Sequence, residues 1–277
     1  MSPPSAGRVT LDALRRRKAA GERIAMLTAY DYPTARRAQA AGVDMLLIGD
    51  SLGTVLLGHP NTRSVPLELM LILGEAVRRG APDVYLVGDM PYESLSRGPA
   101  VAVAAAQRFR DAAGCDAVKL EAGPEDEPLV AAVAASGIAT IAHLGLRPQQ
   151  VLTPDGYRAQ ARDAAAVTAL VAQARQMCAA GAAMLLLEAV PDEASRAVVA
   201  AVDVPVIGCG AGAACDGHVV VTQDLLGLGF TRPPRFVPIL AELGPMTDAA
   251  LRQYVAAVRA GTYPGPEHAY HMKSPPA

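Results

Sequence analysis

The chain has no tryptophan, and aromatic residues make up only 4% of its 277 positions, although 51% of them are hydrophobic. A core with so few rings is aliphatic, which suits parallel strands covered on both faces. An excess of one charge is missing too: the formal net charge is -2 and the pI is about 6.2. That balance offers no broad electrostatic footprint for nucleic acid or an anionic membrane, and leaves small molecules or further copies of the chain as partners. No segment approaches the roughly 18 uninterrupted apolar residues of a membrane-spanning helix, and residues 1–7 are polar and proline-rich with no apolar stretch of signal-peptide length. The expectation is a soluble, cytoplasmic protein. Cys115, Cys178, Cys209 and Cys215 form no C-x-x-C pair, so they are read as reduced thiols and not as a disulfide framework or a zinc site.

What is present is a repeated grammar. Short apolar runs rich in β-branched residues recur at 24–28, 45–49, 84–88, 117–120, 139–142, 184–187, 204–208 and 219–222. Runs of this length bounded by Gly or Pro read as buried strands. Alanine-rich stretches of helical periodicity lie between them, as at 100–113 and 163–180, with Gly114 and Gly181 placed as C-terminal caps. Eight alternations in a chain of this length predict one (βα)8 TIM barrel spanning residues 1–277, with an open doubly wound sheet as the alternative of the same local grammar. Residues 248–259 read as an extra helix after the last strand, a surface for another subunit, and the proline-rich ends, including 274–277, as flexible.

In such a barrel the C-terminal ends of the strands converge on one mouth, where the chemistry is carried out. The strand ends supply Tyr30, Asp31, Asp50, Ser51, Asp89, Lys119, Glu121, His143 and Glu188, then a turn over 208–212. Any one of these carboxylates, taken singly, is more often a helix cap or the partner of an arginine. Asp50, Asp89 and Glu121, however, follow three neighbouring strands, where hard oxygen ligands suit Mg2+ or a similar cation. Left unpaired in one pocket, they would have strongly raised pKa values. Lys119 and Glu121 share a face of their strand; the lysine either orients a substrate carboxylate or pairs with an acid, and a Schiff base is a weaker third role. His143 is either a hydrogen-bonded core residue or a participant in catalysis. Glu188 ends a wholly apolar run, so desolvation raises its pKa toward acid/base use. The glycine-rich turn lacks the complete dinucleotide fingerprint and is weak evidence for a cofactor.

Several blocks, in order and spacing, resemble the ketopantoate hydroxymethyltransferase family: Leu27-Thr-Ala-Tyr-Asp-Tyr-Pro, Gly49-Asp-Ser-Leu-Gly, Asp89-Met-Pro, Val118-Lys-Leu-Glu, His143-Leu-Gly-Leu with Pro148-Gln149, Gly156-Tyr157, Leu187-Glu with Val190-Pro191, Gly210-Ala-Gly with Asp216-Gly217, and Tyr263-Pro-Gly-Pro-Glu-His. The resemblance runs over residues 9–271. It implies a barrel akin to the phosphoenolpyruvate mutase and isocitrate lyase group. It implies transfer of a hydroxymethyl group from 5,10-methylenetetrahydrofolate to 3-methyl-2-oxobutanoate, giving 2-dehydropantoate for pantothenate biosynthesis through a metal-stabilised enolate. By the same resemblance Asp50, Asp89 and Glu121 bind Mg2+ or another divalent cation. Asp50, Ser51, Asp89, Lys119 and His143 line the oxo-acid site, and Glu188 is the acid/base residue. Homo-oligomers, often decamers, are common in the family.

The chain also departs from the family pattern. Leu69 and Leu73 stand where Asp and His are usual, Pro66 for Thr, Ala142 for Gly, Arg147 for Thr, and Cys209 and Gln223 for Ile and His. Such changes open two other readings: a metal-dependent aldolase or C–C lyase acting on another 2-oxo acid, and a catalytically silent barrel that binds a metabolite.

Overall fold

The computed structural model describes residues 7–151, 153 and 156–273; the ends expected to be flexible, 1–6 and 274–277, lie outside them. Eight parallel strands form in the predicted order: β1 (Ile24–Thr28), β2 (Met45–Ile48), β3 (Tyr85–Asp89), β4 (Ala117–Glu121), β5 (Ala139–Gly145), β6 (Met184–Glu188), β7 (Val206–Cys209) and β8 (Gly217–Val220). Each pairs with the next and β8 pairs with β1, with Ile24 opposite Gly217, so the sheet closes and an open doubly wound sheet is excluded. The last strand starts two residues before the predicted run. Glycine and histidine are poor strand formers, but a Cβ at Gly217 would come within 2.6 Å of the Ile24 Cβ, so only glycine allows that approach. Thr222, predicted as strand, instead donates its hydroxyl to the Thr28 carbonyl oxygen, and its N–H to Thr28 Oγ1.

The helices are α1 (Leu11–Ala20), α2 (Tyr32–Ala40), α3 (Leu52–Val55), α4 (Leu67–Gly80), α5 (Tyr92–Ser96), α6 (Pro99–Ala113), α7 (Glu127–Ala135), α8 (Ala164–Ala179), α9 (Asp192–Val199), α10 (Thr222–Leu225) and α11 (Leu243–Arg259). Gly114 ends α6 in the left-handed conformation, φ 67°, as its position predicted. By its internal contacts the chain falls into two compact units, residues 1–222 with the barrel and 223–277 with α11. α11 starts five residues before the predicted 248, through Gly244 and Pro245. Proline is tolerated in a first helical turn, whose N–H groups have no partner in the helix. Among the described residues no helix is long and apolar enough to cross a membrane.

Alternation along the strands builds two cores. Leu46, Ile48, Leu86, Val118, Leu120, Ala142, Leu144, Leu185 and Leu187 face outward under the helices. Met45, Leu47, Tyr85, Val87, Ala117, Ile141, Met184 and Leu186 fill the interior. Because both faces are apolar, the strands read as unbroken hydrophobic runs. The same parity carries Asp89, Lys119, His143 and Glu188 inward two residues beyond the last interior apolar residue of their strands, and Glu121 four residues beyond Ala117.

The opposite end is sealed. Leu14 of α1 is fully buried in the interior core, and three aspartates, each one residue before a strand, repeat one device. Asp44 accepts the Ala25 N–H at 2.9 Å, Asp116 the Leu86 N–H at 2.8 Å, and Asp216 the Val206 N–H at 2.8 Å. Arg17 and Lys18 of α1 pair with Asp44 and Asp216 at 3.0 and 2.9 Å, strapping the helix across the barrel floor. Asp116 takes Arg8 and Arg78, both at 2.6 Å. Asp116→Ala is therefore expected to lower stability by about 2–3 kcal/mol, since it removes charge-assisted bonds and leaves the Leu86 N–H without its acceptor. Chemical denaturation checks this, and turnover per folded molecule stays near that of the parent because the change lies at the end remote from the mouth.

Candidate active site

The mouth residues form one contiguous polar network. Asp50, after β2, donates its backbone N–H to Asp89 Oδ2 at 3.0 Å. Asp89 Oδ1 lies 2.7 Å from Lys119 Nζ, a pairing set by the register that puts the two residues opposite each other on β3 and β4. Lys119 Nζ is in turn 3.2 Å from His143 Nδ1, and His143 Nε2 lies 3.3 Å from Glu188 Oε2. Asp50, Asp89, Lys119, Glu121 and His143 are all buried, whereas the Glu188 side chain keeps 18% exposure. Ser51 Oγ is 2.7 Å from the hydroxyl of Tyr30, another fully buried strand-end residue.

Burial dominates the electrostatics. It pushes the Asp89 carboxyl up to about 7, with Lys119 opposing and Asp50 adding to the rise. It pushes Glu188 up to about 8 and raises Glu121 well above the ordinary range, again against the pull of Lys119. Burial works to strip Lys119 of its proton, but Asp89, Asp50 and Glu121 outweigh it, and the ammonium is held above the usual lysine range. Burial and then Lys119 hold His143 well below its ordinary value. Its imidazole is neutral, and an ammonium donor at Nδ1 places the ring hydrogen on Nε2, which has no hydrogen-bond partner among the described residues although Glu188 Oε2 lies 3.3 Å away.

One buried ammonium does not balance this many carboxylates. Buried charge left uncompensated is costly, and Glu121 Oε2 is buried with no hydrogen-bond partner among the described residues. Also among those residues, no three His, Cys, Asp or Glu side chains form a group that could hold a metal ion by themselves. A small hard cation needs none: Mg2+ keeps several waters and takes only one or two carboxylates. The oxygen donors thus fit a divalent cation held partly through water or ligand oxygens, and they do not fit a soft, protein-only metal site.

Other strand-end candidates have ordinary structural duties. Asp31 caps α2, accepting the Thr34 N–H at 2.7 Å. Just beyond the 208–212 turn, Asp192 Oδ1 accepts the Ala213 N–H at 2.8 Å and the Ala214 N–H at 3.3 Å, and Gly212, at φ 73°, packs against Asp192. Among the departures from the family pattern, Leu69 and Leu73 pack on the helix-side core, Ala142 faces that core, and Arg147 lies 3.4 Å from Glu125 and 3.5 Å from Asp126.

Gln149, which the sequence marks only as part of a block of family resemblance, is a further side chain of the site. It is 1% exposed and contacts two of the carboxylates, yet a neutral loop residue carries no charge or periodicity to mark it. Tyr157 is a second such residue: burial raises its pKa, with further contributions from Asp50, Glu188 and Glu121, so its phenol stands within their field.

The family model described as ketopantoate hydroxymethyltransferase matches residues 8–266. The chain is 44% identical over 256 residues to 3-methyl-2-oxobutanoate hydroxymethyltransferase of Geobacillus kaustophilus (strain HTA426), a match covering 92% of each protein. Among solved structures it is similar to phosphonopyruvate hydrolase in complex with oxalate and Mg++, with a TM-score of 0.61 at 15% identity over 95% of this chain and 92% of that one. It is also similar to 2,3-dimethylmalate lyase, a member of the PEP mutase/isocitrate lyase superfamily, with a TM-score of 0.60 at 18% identity over 94% and 91%. At those identities the likeness establishes the fold, as expected from the sequence.

Proposed function

Because this chain belongs to the ketopantoate hydroxymethyltransferase family and is a hydroxymethyl-transferring enzyme, we propose that it adds a one-carbon unit from 5,10-methylenetetrahydrofolate to 3-methyl-2-oxobutanoate, giving 2-dehydropantoate for pantothenate biosynthesis. The observation that carries the reading is the unbroken series of contacts from Asp50 through Asp89, Lys119 and His143 to Glu188. It joins a cation-seeking, anion-binding floor to a carboxyl group that changes charge near neutral pH. Asp50, Asp89 and Glu121 would hold a divalent cation, Mg2+ being the expected one, with no more than two of the carboxylates bound directly and the rest through water. When bound, it supplies Lewis acidity that polarises the 2-oxo group and makes the C3 hydrogen acidic.

The protein's own groups do the rest. Lys119 draws in the substrate carboxylate, and Ser51, fixed by Tyr30, gives it a hydrogen bond. Neutral His143 brings its Nε2 within 3.3 Å of the Glu188 carboxylate without a hydrogen bond to it, and lines the pocket beside that group. Glu188 takes the C3 proton, C3 bonds to the methylene carbon as its two C–N bonds break, water supplies the hydroxyl, and the C3 proton and the second proton of that water end on the two nitrogens of the departing tetrahydrofolate. The same reading extends to a cytoplasmic homo-oligomer of one barrel per chain.

The test is an assay with the oxo acid, Mg2+ and the folate donor. Product is expected only with all three, while exchange of the C3 hydrogen with solvent deuterium is expected without the donor. Cleavage of an aldol-type substrate with no folate would replace this reading with a lyase. Absence of both product and exchange would leave a barrel that only binds.

A further inference from the structure

Gln149 lies in the turn Pro148–Gln150 after β5 and is almost completely buried. Its side-chain Nε2 donates to Asp50 Oδ2 and to the Met90 carbonyl oxygen, both at 3.0 Å. Its backbone N–H donates to Glu121 Oε1 at 2.9 Å. A carbonyl oxygen can only accept, and an ionised carboxylate likewise, so the amide cannot be flipped: the NH2 must face Asp50 and Met90. Its own Oε1 is left buried with no donor among the described residues. The orientation is therefore set by what the NH2 holds.

One residue thus joins the loops after β2 and β3, the end of β4 and the turn after β5. Asp50 is the carboxylate most dependent on it. The Asp50 backbone is tied to Asp89, but among the described residues the only side-chain bond made by Asp50 is the one from Gln149. A carboxylate with two rotatable bonds, set among like charges, turns away from them unless a donor holds it. Binding one cation requires the opposite, that the charges stay together.

We propose that Gln149 is a positioning residue, whose side chain fixes the Asp50 carboxylate, and whose backbone fixes Glu121, in the arrangement a divalent cation needs. The proposal rests on the cation-dependent reading of the site above. Partners that orient metal ligands are typically worth about 10–100-fold in metal affinity.

The test is Mn2+ binding to the purified full-length protein, followed by electron paramagnetic resonance with no substrate present. Gln149→Met keeps the length and removes both side-chain donors while leaving the backbone bond to Glu121. It is expected to weaken Mn2+ binding about 10–100-fold. In turnover, the cation concentration for half-maximal rate rises by a similar factor, and saturating cation restores most of kcat, which damage to the fold would not allow. Should Gln149→Met lose cooperative unfolding, Gln149→Asn serves instead: its amide is one methylene too short to reach Asp50, and the same weakening is expected. Either variant binding Mn2+ as the parent does overturns the role of Gln149 alone. A parent protein that binds no Mn2+ overturns the cation-dependent reading, and this proposal with it.

Discussion

Glu188→Gln is expected to cut turnover about 10²- to 10⁴-fold while leaving affinity for the oxo acid within about twofold. The carboxamide has the same shape and still offers an oxygen toward His143 Nε2, 3.3 Å from the present carboxylate, so the pocket keeps its form. What it cannot do is take a proton. The pH profile distinguishes a lost base from a disturbed pocket. Burial holds the Glu188 carboxyl up at about 8, and a base works only when ionised, so the parent's kcat/KM falls as pH drops through the pKa of this group. A bound cation moves that limb to lower pH by favouring the ionised form. In the Gln variant the residual activity has lost that limb. Steady-state kinetics from pH 5.5 to 9 decide the matter, and a variant that retains a third of the parent's turnover, or an unchanged acid limb, rejects the assignment.

Without a divalent cation, the protein is expected to lose thermal stability as pH rises from 5 to 9, and added Mg2+ or Mn2+ should reverse the loss. Asp89 and Glu188 have folded-state values near 7 and 8, both raised chiefly by burial above the ordinary 3.8 and 4.5. A carboxyl raised by folding binds its proton more tightly in the folded state. Its contribution is complete below about pH 4 and is lost as pH climbs through 7 and 8. Three pKa units correspond to about 4 kcal/mol for one group, and in a chain of this size about 1 kcal/mol moves Tm by 2–4 °C. A drop of at least about 5 °C is thus expected, and Asp89→Asn, which has one fewer acid to ionise, flattens the curve and blunts the response to cation. Scanning fluorimetry across pH, with chelator and with metal, measures both. A Tm that rises with pH in chelator, or one indifferent to cation at pH 8.5, contradicts the charge imbalance argued for the mouth.

The barrel was legible because its strands are apolar on both faces, so each run announces itself without reference to partners. β8 was the exception: Gly217 and His218 enter the sheet because Ile24 leaves room only for a glycine, a fact about a neighbour and not about the strand. The acids of the mouth were legible for a related reason, since a strand end is a local feature and alternation sends Asp89, Lys119, Glu121 and Glu188 the same way. Locality also misled. Asp31 met the same description and caps a helix, and the residue after the glycine-rich turn, Ala213, gives its N–H to the Asp192 carboxylate. Gln149 lay beyond such reasoning because its partners are 28, 59 and 99 residues away. Its importance exists only in the assembled barrel.

The strapped floor has a kinetic corollary. With α1 drawn over one end by Arg17 and Lys18, and a buried apolar cluster behind it, the described residues leave no second entrance at that end. On the reading proposed above, whatever docks against Lys119 and Asp89, at most 5% exposed as side chains, must arrive before and depart after whatever lies above Glu188, at 18%. Loading becomes a queue of two places, in which an excess of the outer reactant, arriving early, blocks the inner one.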